Sequence, residues 1–130
     1  MSERDPAGGA FAFKGKSGFN RVANAFFYSM AGLRAAFHGE AAFRQEVLLA
    51  ALLIPLAFFM PVGGIGKALM IGSVLLVLIV ELLNSAVEVL ADRVSTETHD
   101  LIKKAKDIGS AAVLVALINV PVVWLLVLFG

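Results

Sequence analysis

Three apolar segments, each long enough to cross a bilayer as a helix, constrain the fold of this chain more than any other feature of its sequence. The first (47–66) and the third (110–129) contain no charged residue, and the second runs from about residue 68 to residue 90. About 20 helical residues cross the hydrocarbon of a bilayer, where backbone polar groups must be paired within the segment. The chain is 59% hydrophobic, with a mean hydropathy of +0.87, whereas a soluble domain is about half apolar. The sequence therefore predicts an all-α membrane protein with three transmembrane helices.

A further helix is expected before the spans, at about 19–38. Its apolar residues recur at steps of three and four, which is typical of one face of a helix. Basic residues flank it, so we expect an amphipathic helix in the headgroup region of the membrane. Residues 1–18 are polar and Gly-rich and are expected to be a disordered tail before a single domain, 19–130. The apolar face is formed by Phe19, Val22, Phe26, Met30, Leu33 and Phe37.

The distribution of basic residues orients the spans. Lys and Arg are frequent before the first span and in the segment 92–107, whereas the connection 61–67 carries only Lys67 and the C-terminus carries none. Cytoplasmic loops are enriched in Lys and Arg, so the N-terminus is expected inside and the C-terminus outside. Pro61 and the glycines at 63, 64 and 66 indicate the outer turn, and Trp124 is expected near an interface.

An acidic stripe interrupts the second span. Glu81, Asn84 and Glu88 stand at i, i+3 and i+7, which places them along one side of a helix. If the last turn of this helix lies in water, the presence of Asp92 is explained, and that of Glu88 is partly explained. A last turn in water does not explain Glu81, since a charge inside a span costs roughly 2.5 kcal/mol or more and usually marks a functional site.

The spacing of these carboxylates divides their roles. Seven helical residues rise about 10 Å, so Glu81 and Glu88 cannot grip one metal ion together. Glu40 precedes the first span on the same expected side as Glu88, and two carboxylates without His or Cys suit Mg²⁺, which commonly accompanies phosphates. The deeper Glu81, partly removed from water, gains affinity for a proton and is a candidate general base for a hydroxyl presented from the lipid. Lys106 and Asp107 stand where they could touch a nucleotide.

Two other classes of protein remain open at this point. Intramembrane carboxylates also serve ion or proton pathways, but such a pathway predicts polar residues through the outer half of the spans, where 47–60 and 68–80 offer only Ser73. A purely structural membrane subunit leaves the cost of burying Glu81 unexplained.

Three blocks, EAAFRQE (40–46), VELLNSAVE (80–88) and AKDIGSAAV (105–113), resemble the prokaryotic diacylglycerol kinase family over about residues 18–129. The resemblance implies a homotrimer of three-span subunits with a surface helix, in a bacterial inner membrane, with sites between neighbouring subunits. It implies Mg-ATP-dependent phosphorylation of diacylglycerol to phosphatidic acid. Undecaprenol kinases are close relatives, so undecaprenol is the alternative substrate. No nucleic-acid partner is expected.

The resemblance also assigns roles to individual residues. It implies that Glu81 is the proton acceptor, that Glu40 and Glu88 are Mg²⁺ ligands, and that Asn84 and Ser85 support them. The ATP-contacting positions it implies are Arg21, Tyr28, Glu40, Glu88, Glu97, His99, Lys106 and Asp107. The lipid-substrate positions it implies are Arg21, Arg34, Ala35, Ala36, Phe37, Ala42, Phe43, Arg44, Gln45, Glu46, Glu81 and Ser110.

Overall fold

Four α-helices make up the described part of the chain. The computed structural model describes residues 18–94 and 99–130; the tail before residue 18, Glu97 and the side chain of His99 lie outside what is described. The helices are α1 (Gly18–Gly39), α2 (Ala41–Phe59), α3 (Gly64–Val94) and α4 (His99–Phe129). No strand occurs in these residues, and α2, α3 and α4 are each long and apolar enough to cross a membrane. The all-α class with three spans is therefore confirmed.

The boundary between α2 and α3 differs from the expected spans. α2 begins six residues before the expected segment 47–66 and ends seven residues before its end. Gly64 and Gly66, expected in the turn, belong to α3. Pro61 explains the early end, because the residue before a proline avoids helical backbone, and Met60 is extended at ψ 146°. The new helix starts at once, with the amide of Lys67 donating to the carbonyl of Gly63 at 3.0 Å.

Two of the helices are longer than a bilayer requires. α3 and α4 each contain 31 residues, which is about 46 Å of helix against about 30 Å of hydrocarbon. Each helix can therefore cross the membrane and still extend beyond it. Charged residues are concentrated at the end of α3 and at the start of α4, so these two ends form one polar extension of the helix pair.

α3 is the central helix, because it packs against both α2 and α4. Its buried side chains repeat at steps of three and four, and α2 buries Phe43, Ala50 and Ala57 at steps of seven. Small residues at such positions let membrane helices approach closely. The buried residues of α3 are Met70, Ser73, Val74, Val77, Glu81, Asn84, Ser85 and Ala91.

The chain divides into two compact units, one ending at Ala35 and the other running from Ala36 to Gly130. The first contains most of α1. Its apolar side chains stay largely exposed, with Phe19 at 78% and Phe26 at 58%, which is compatible with the expected lipid-facing side of α1. Its position on the membrane surface and the trimer remain predictions.

Candidate active site

The acidic stripe on α3 is buried at its centre. Glu81 is only 5% exposed and Asn84 8%, whereas Glu88 is half-buried. The helix runs unbroken through all three residues, as the spacing predicts. Glu81 therefore lies deepest and Glu88 nearest to the polar end of the helix pair.

A second carboxyl group, that of Glu46 on α2, faces Glu81. The two carboxyl groups are close enough to interact with each other, and Glu46 keeps one buried oxygen, Oε1, without a hydrogen-bond partner among the described residues. The arrangement therefore places two carboxyl groups side by side at the centre of the site.

The sequence reasoning placed Glu46 only on the lipid-substrate surface and missed its pairing with Glu81. The spacing of residues along α2 could have indicated that Glu46 faces α3. Glu46 stands three residues after Phe43 and four before Ala50, and both of these are buried. Because residues at such steps share a helix face, Glu46 points with them toward α3.

Glu40 occupies the junction between α1 and α2. It is the N-cap residue of α2, with an extended backbone and no capping hydrogen bond from its side chain. Its carboxylate is therefore not used to cap the helix. Glu40 and Glu88 both act electrostatically on Glu81, so the four carboxyl groups belong to one neighbourhood within a single chain.

The donor set of this neighbourhood fits Mg²⁺. The expected ligands Glu40 and Glu88 offer only oxygen, and the described residues hold no cluster of three or more His, Cys, Asp or Glu that could enclose a metal by themselves. Mg²⁺ typically takes one or two protein carboxylates and fills its remaining positions with water and phosphate oxygens. The residues present can therefore hold Mg²⁺ together with a phosphate-bearing ligand.

Asn84 and Ser85 lie beside the carboxylates, as expected for supporting residues. The Asn84 amide donates from Nδ2 to Oε2 of Glu88 at 3.4 Å. Asn84 Oδ1 and Ser85 Oγ are buried and without a hydrogen-bond partner in the part of the chain described. The orientation of Asn84 thus bears directly on Glu88.

The polar end of the helix pair carries two ion pairs. Lys106 on α4 lies 2.6 Å from a carboxylate oxygen of Asp92 on α3, and Lys103 lies 2.8 Å from Asp107 along α4. Lys106 is also within electrostatic reach of Glu88. The structure thus brings Lys106 to the edge of the acidic neighbourhood, whereas Asp107 is engaged one turn back along its own helix.

Arg44, expected at the lipid substrate, binds the end of α1. Its Nη1 donates to the carbonyl oxygens of Phe37 and His38 at 2.8 and 3.1 Å, where a helix has unpaired carbonyls. Among the other lipid-substrate positions, Ala36 and Phe43 are buried, while Phe37, Ala42, Gln45 and Ser110 are exposed. Arg21, Tyr28, Arg34 and Ala35 are exposed residues of the first unit.

An apolar cavity adjoins Glu46. It has a volume of about 160 Å³, and apart from Glu46 only apolar side chains line it. All three spans contribute to its wall, through Leu49 and Leu53, Val74 and Val77, and Leu117 and Pro121. Glu46 therefore borders an apolar space within the membrane-spanning helices.

Two polar side chains of the helix pair bond to the same backbone carbonyl in the first part of α3. Ser73 donates its hydroxyl to the carbonyl of Met70 at 2.7 Å, within its own helix. Trp124, expected near an interface, donates its indole N–H to the same carbonyl at 3.1 Å. Both polar groups are used in packing, so the ion-pathway hypothesis gains no support from them.

Comparison with known proteins agrees with this arrangement. A family model described as prokaryotic diacylglycerol kinase matches residues 27–128. Similar curated proteins, each named diacylglycerol kinase, come from Pseudomonas aeruginosa (58% identical, covering 91% of this chain and 96% of the relative) and Haemophilus influenzae (51%; 87% and 96%). Another comes from Escherichia coli strain K12 (48%; 88% and 93%).

Three features thus converge: the three spans, the buried carboxyl pair with its neighbouring acidic groups, and similarity over nearly the whole chain. The resemblance carried by the three sequence blocks is confirmed, and the chain belongs to the prokaryotic diacylglycerol kinase family.

Proposed function

We propose that this protein transfers the γ-phosphoryl group of ATP to the free hydroxyl of diacylglycerol, producing phosphatidic acid and ADP. The observation that carries the proposal is the burial of Glu81 in a membrane-spanning helix, paired with Glu46 and bordered by Glu40 and Glu88. A carboxyl group inside a span is costly and usually functional. Family membership supports a kinase acting on diacylglycerol.

Glu81 is the general base of the proposed reaction. Its carboxylate accepts the proton of the lipid hydroxyl as the oxygen–phosphorus bond forms and the bond from the γ-phosphorus to the ADP oxygen breaks. The carboxyl group of Glu46 lies beside Glu81 and would accept a hydrogen bond from Glu81 once Glu81 has taken up that proton.

Glu40 and Glu88 are the proposed Mg²⁺ ligands. The bound ion would neutralise charge on the ATP phosphates. Lys106 lies within electrostatic reach of Glu88 and would hold a phosphate oxygen once it leaves Asp92. The remaining nucleotide contacts, by Arg21, Tyr28, Glu97, His99 and Asp107, are proposed from the resemblance.

Diacylglycerol is the proposed lipid, and undecaprenol is the alternative. The names of the relatives favour diacylglycerol. The apolar cavity beside Glu46 suits the hydrocarbon of either lipid, because its walls are apolar apart from Glu46. The proposed setting is the cytoplasmic side of a bacterial inner membrane, with the N-terminus inside, the C-terminus outside and the chain assembled as a homotrimer.

A phosphoryl-transfer assay tests this proposal. Purified protein in mixed micelles receives radiolabelled Mg-ATP with diacylglycerol or undecaprenol. Glu81→Gln keeps the size of the side chain but removes the base, so kcat for diacylglycerol should fall by about 10²- to 10⁴-fold. Ser73→Ala is the matched control, because it alters a buried polar residue of the same helix whose hydroxyl bonds only within that helix, and it should keep its activity.

The lipid that carries the radiolabel decides between diacylglycerol and undecaprenol as the substrate. Label chiefly on undecaprenol would change the substrate and retain the mechanism. Label on neither lipid would contradict the kinase proposal, and undiminished turnover of Glu81→Gln would contradict the role of the base.

A further inference from the structure

We propose that Gly109 is a positioning residue that seats the Asn84 amide and thereby orients Glu88 toward its cation. The inference rests on the proposed function, since it concerns the same Mg²⁺-dependent site. Gly109 is on α4 and Asn84 on α3, so the contact joins the two helices beside the acidic neighbourhood.

The space for Asn84 exists only because residue 109 has no side chain. A Cβ added at Gly109 would overlap Oδ1 of Asn84 and stand 3.2 Å from its Cγ. Asn84 is 8% exposed, so packed atoms surround the rest of the side chain. An alanine here would therefore have to push the amide out of its present position.

The position of the amide controls its hydrogen bond to Glu88. Nδ2 lies 3.4 Å from Oε2 of Glu88, at the long end of hydrogen-bonding distances, so a small displacement breaks the bond. Oδ1 is buried and has no hydrogen-bond partner in residues 18–94 and 99–130. Since no hydrogen bond holds that end of the amide, the fit against Gly109 sets its orientation.

Four variants separate positioning from general packing. Gly109→Ala and Asn84→Ala are compared with the double variant Gly109→Ala/Asn84→Ala. Gly72→Ala is the matched control, because Gly72 is also a helical glycine of a span and a Cβ there would meet no atom within 4 Å. Each protein is assayed for kcat, for the Mg²⁺ concentration that gives half-maximal activity, and for Mn²⁺ binding by electron paramagnetic resonance with a non-hydrolysable ATP analogue and without lipid.

Gly109→Ala should lower kcat by up to about 10²-fold, as misplaced active-site groups do. It should weaken Mn²⁺ binding and raise the half-activating Mg²⁺ concentration by about tenfold or more, as loss of outer-sphere support for a metal ligand does. Gly72→Ala should stay within about twofold of the wild type. In the Asn84→Ala background the Gly109→Ala change should have no further effect, because the amide it displaces is gone.

Three results would overturn the inference. They are unchanged kcat and Mn²⁺ binding in Gly109→Ala, an effect no larger than that of Gly72→Ala, or an equal additional loss in the Asn84→Ala background. If Gly109→Ala fails to fold, recovery of the fold in the double variant supports the steric account, and failure there contradicts it. A wild-type protein that transfers no phosphoryl group contradicts the proposed function instead, and the Mn²⁺ measurements still test the positioning.

Discussion

At the scale of single residues, the polar side chains whose burial costs free energy lie together in one place. Glu81, Asn84 and Ser85 are all buried on one side of α3, and Glu46 reaches them from α2. Burying polar groups costs free energy unless they are hydrogen-bonded, yet Oε1 of Glu46, Oδ1 of Asn84 and Oγ of Ser85 lack partners among the described residues. Unpaired groups in a cluster of this kind are what a substrate hydroxyl can satisfy.

The carboxyl pair leads to a prediction for Glu46. Glu46→Gln replaces a carboxyl group beside Glu81 with an amide whose N–H can donate to the Glu81 carboxylate, which stabilises that carboxylate and weakens it as a base. We expect kcat to fall by about tenfold, since a hydrogen bond to a charged group contributes about 1.5 kcal/mol. Steady-state kinetics with varied lipid and varied ATP should show a change in kcat and little change in the KM for ATP.

Asp100→Asn is a suitable control for Glu46→Gln, because it makes the same acid-to-amide change in the first turn of α4, away from the pair. It should leave kcat near that of the wild type. Equal rates in Glu46→Gln and Asp100→Asn would contradict a role for Glu46 beside the base.

At the scale of the helices, α3 organises the second unit. It packs against both neighbours, and its buried side chains form one stripe that is apolar from Met70 to Val77, except for Ser73, and polar from Glu81 to Ser85. The apolar part holds the helices together, and the polar part holds the site. The same helix therefore serves packing and chemistry at different depths.

The packing of α3 against α4 gives a prediction about stability. Trp124→Phe keeps an aromatic ring but removes the N–H that bonds to the Met70 carbonyl. We expect a loss of about 0.5–1 kcal/mol in the free energy of unfolding, because hydrogen bonds between membrane helices contribute modestly. Unfolding by increasing SDS in mixed micelles measures this difference.

Phe58→Leu, which alters an exposed ring on α2, serves as the control and should unfold as the wild type does. Kinase activity in Trp124→Phe should persist, since the bond lies away from Glu81 along α3. An unfolding free energy equal to that of the wild type would show that the indole bond contributes nothing to the helix pair.

At the scale of the whole molecule, one chain already contains the acidic neighbourhood. Glu40 and Glu88 both act electrostatically on Glu81 within the second unit, whereas Arg21 and Tyr28 belong to the first. The family resemblance implies sites shared between subunits. We therefore predict that a neighbouring subunit supplies residues of the first unit, such as Arg21 and Tyr28, and not the carboxylates.

Mixing inactive variants tests this division. Subunits with Arg21→Ala are mixed with subunits with Glu81→Gln, dissociated and reassembled. The mixture should recover part of the activity, because some sites would combine an intact Arg21 from one subunit with the intact carboxylates of another. A mixture of Glu40→Gln with Glu81→Gln should recover none, since each chain lacks part of the same group. Recovery measured by phosphoryl transfer in the second mixture would contradict a single-chain acidic neighbourhood.

Much of the architecture follows from patterns local in the sequence. Apolar runs of span length, the three- and four-residue periodicity of α1, and the break at Pro61 each concern neighbouring residues, so the number and order of the four helices were predictable. The start of α4 was not, because its first 11 residues precede the apolar run 110–129 from which the span was predicted. The stripe of Glu81, Asn84 and Glu88 was predictable for the same reason, because residues three, four and seven apart share a helix face.

The pairings across helices were not predictable in this way. The contacts of Glu46 with Glu81, of Gly109 with Asn84 and of Lys106 with Asp92 join residues that are 14 to 35 positions apart. Each depends on how far one helix is rotated and shifted along another, and periodicity within a single helix leaves both quantities open. Packing of small side chains against α3 sets them, and so brings the carboxyl groups into one site.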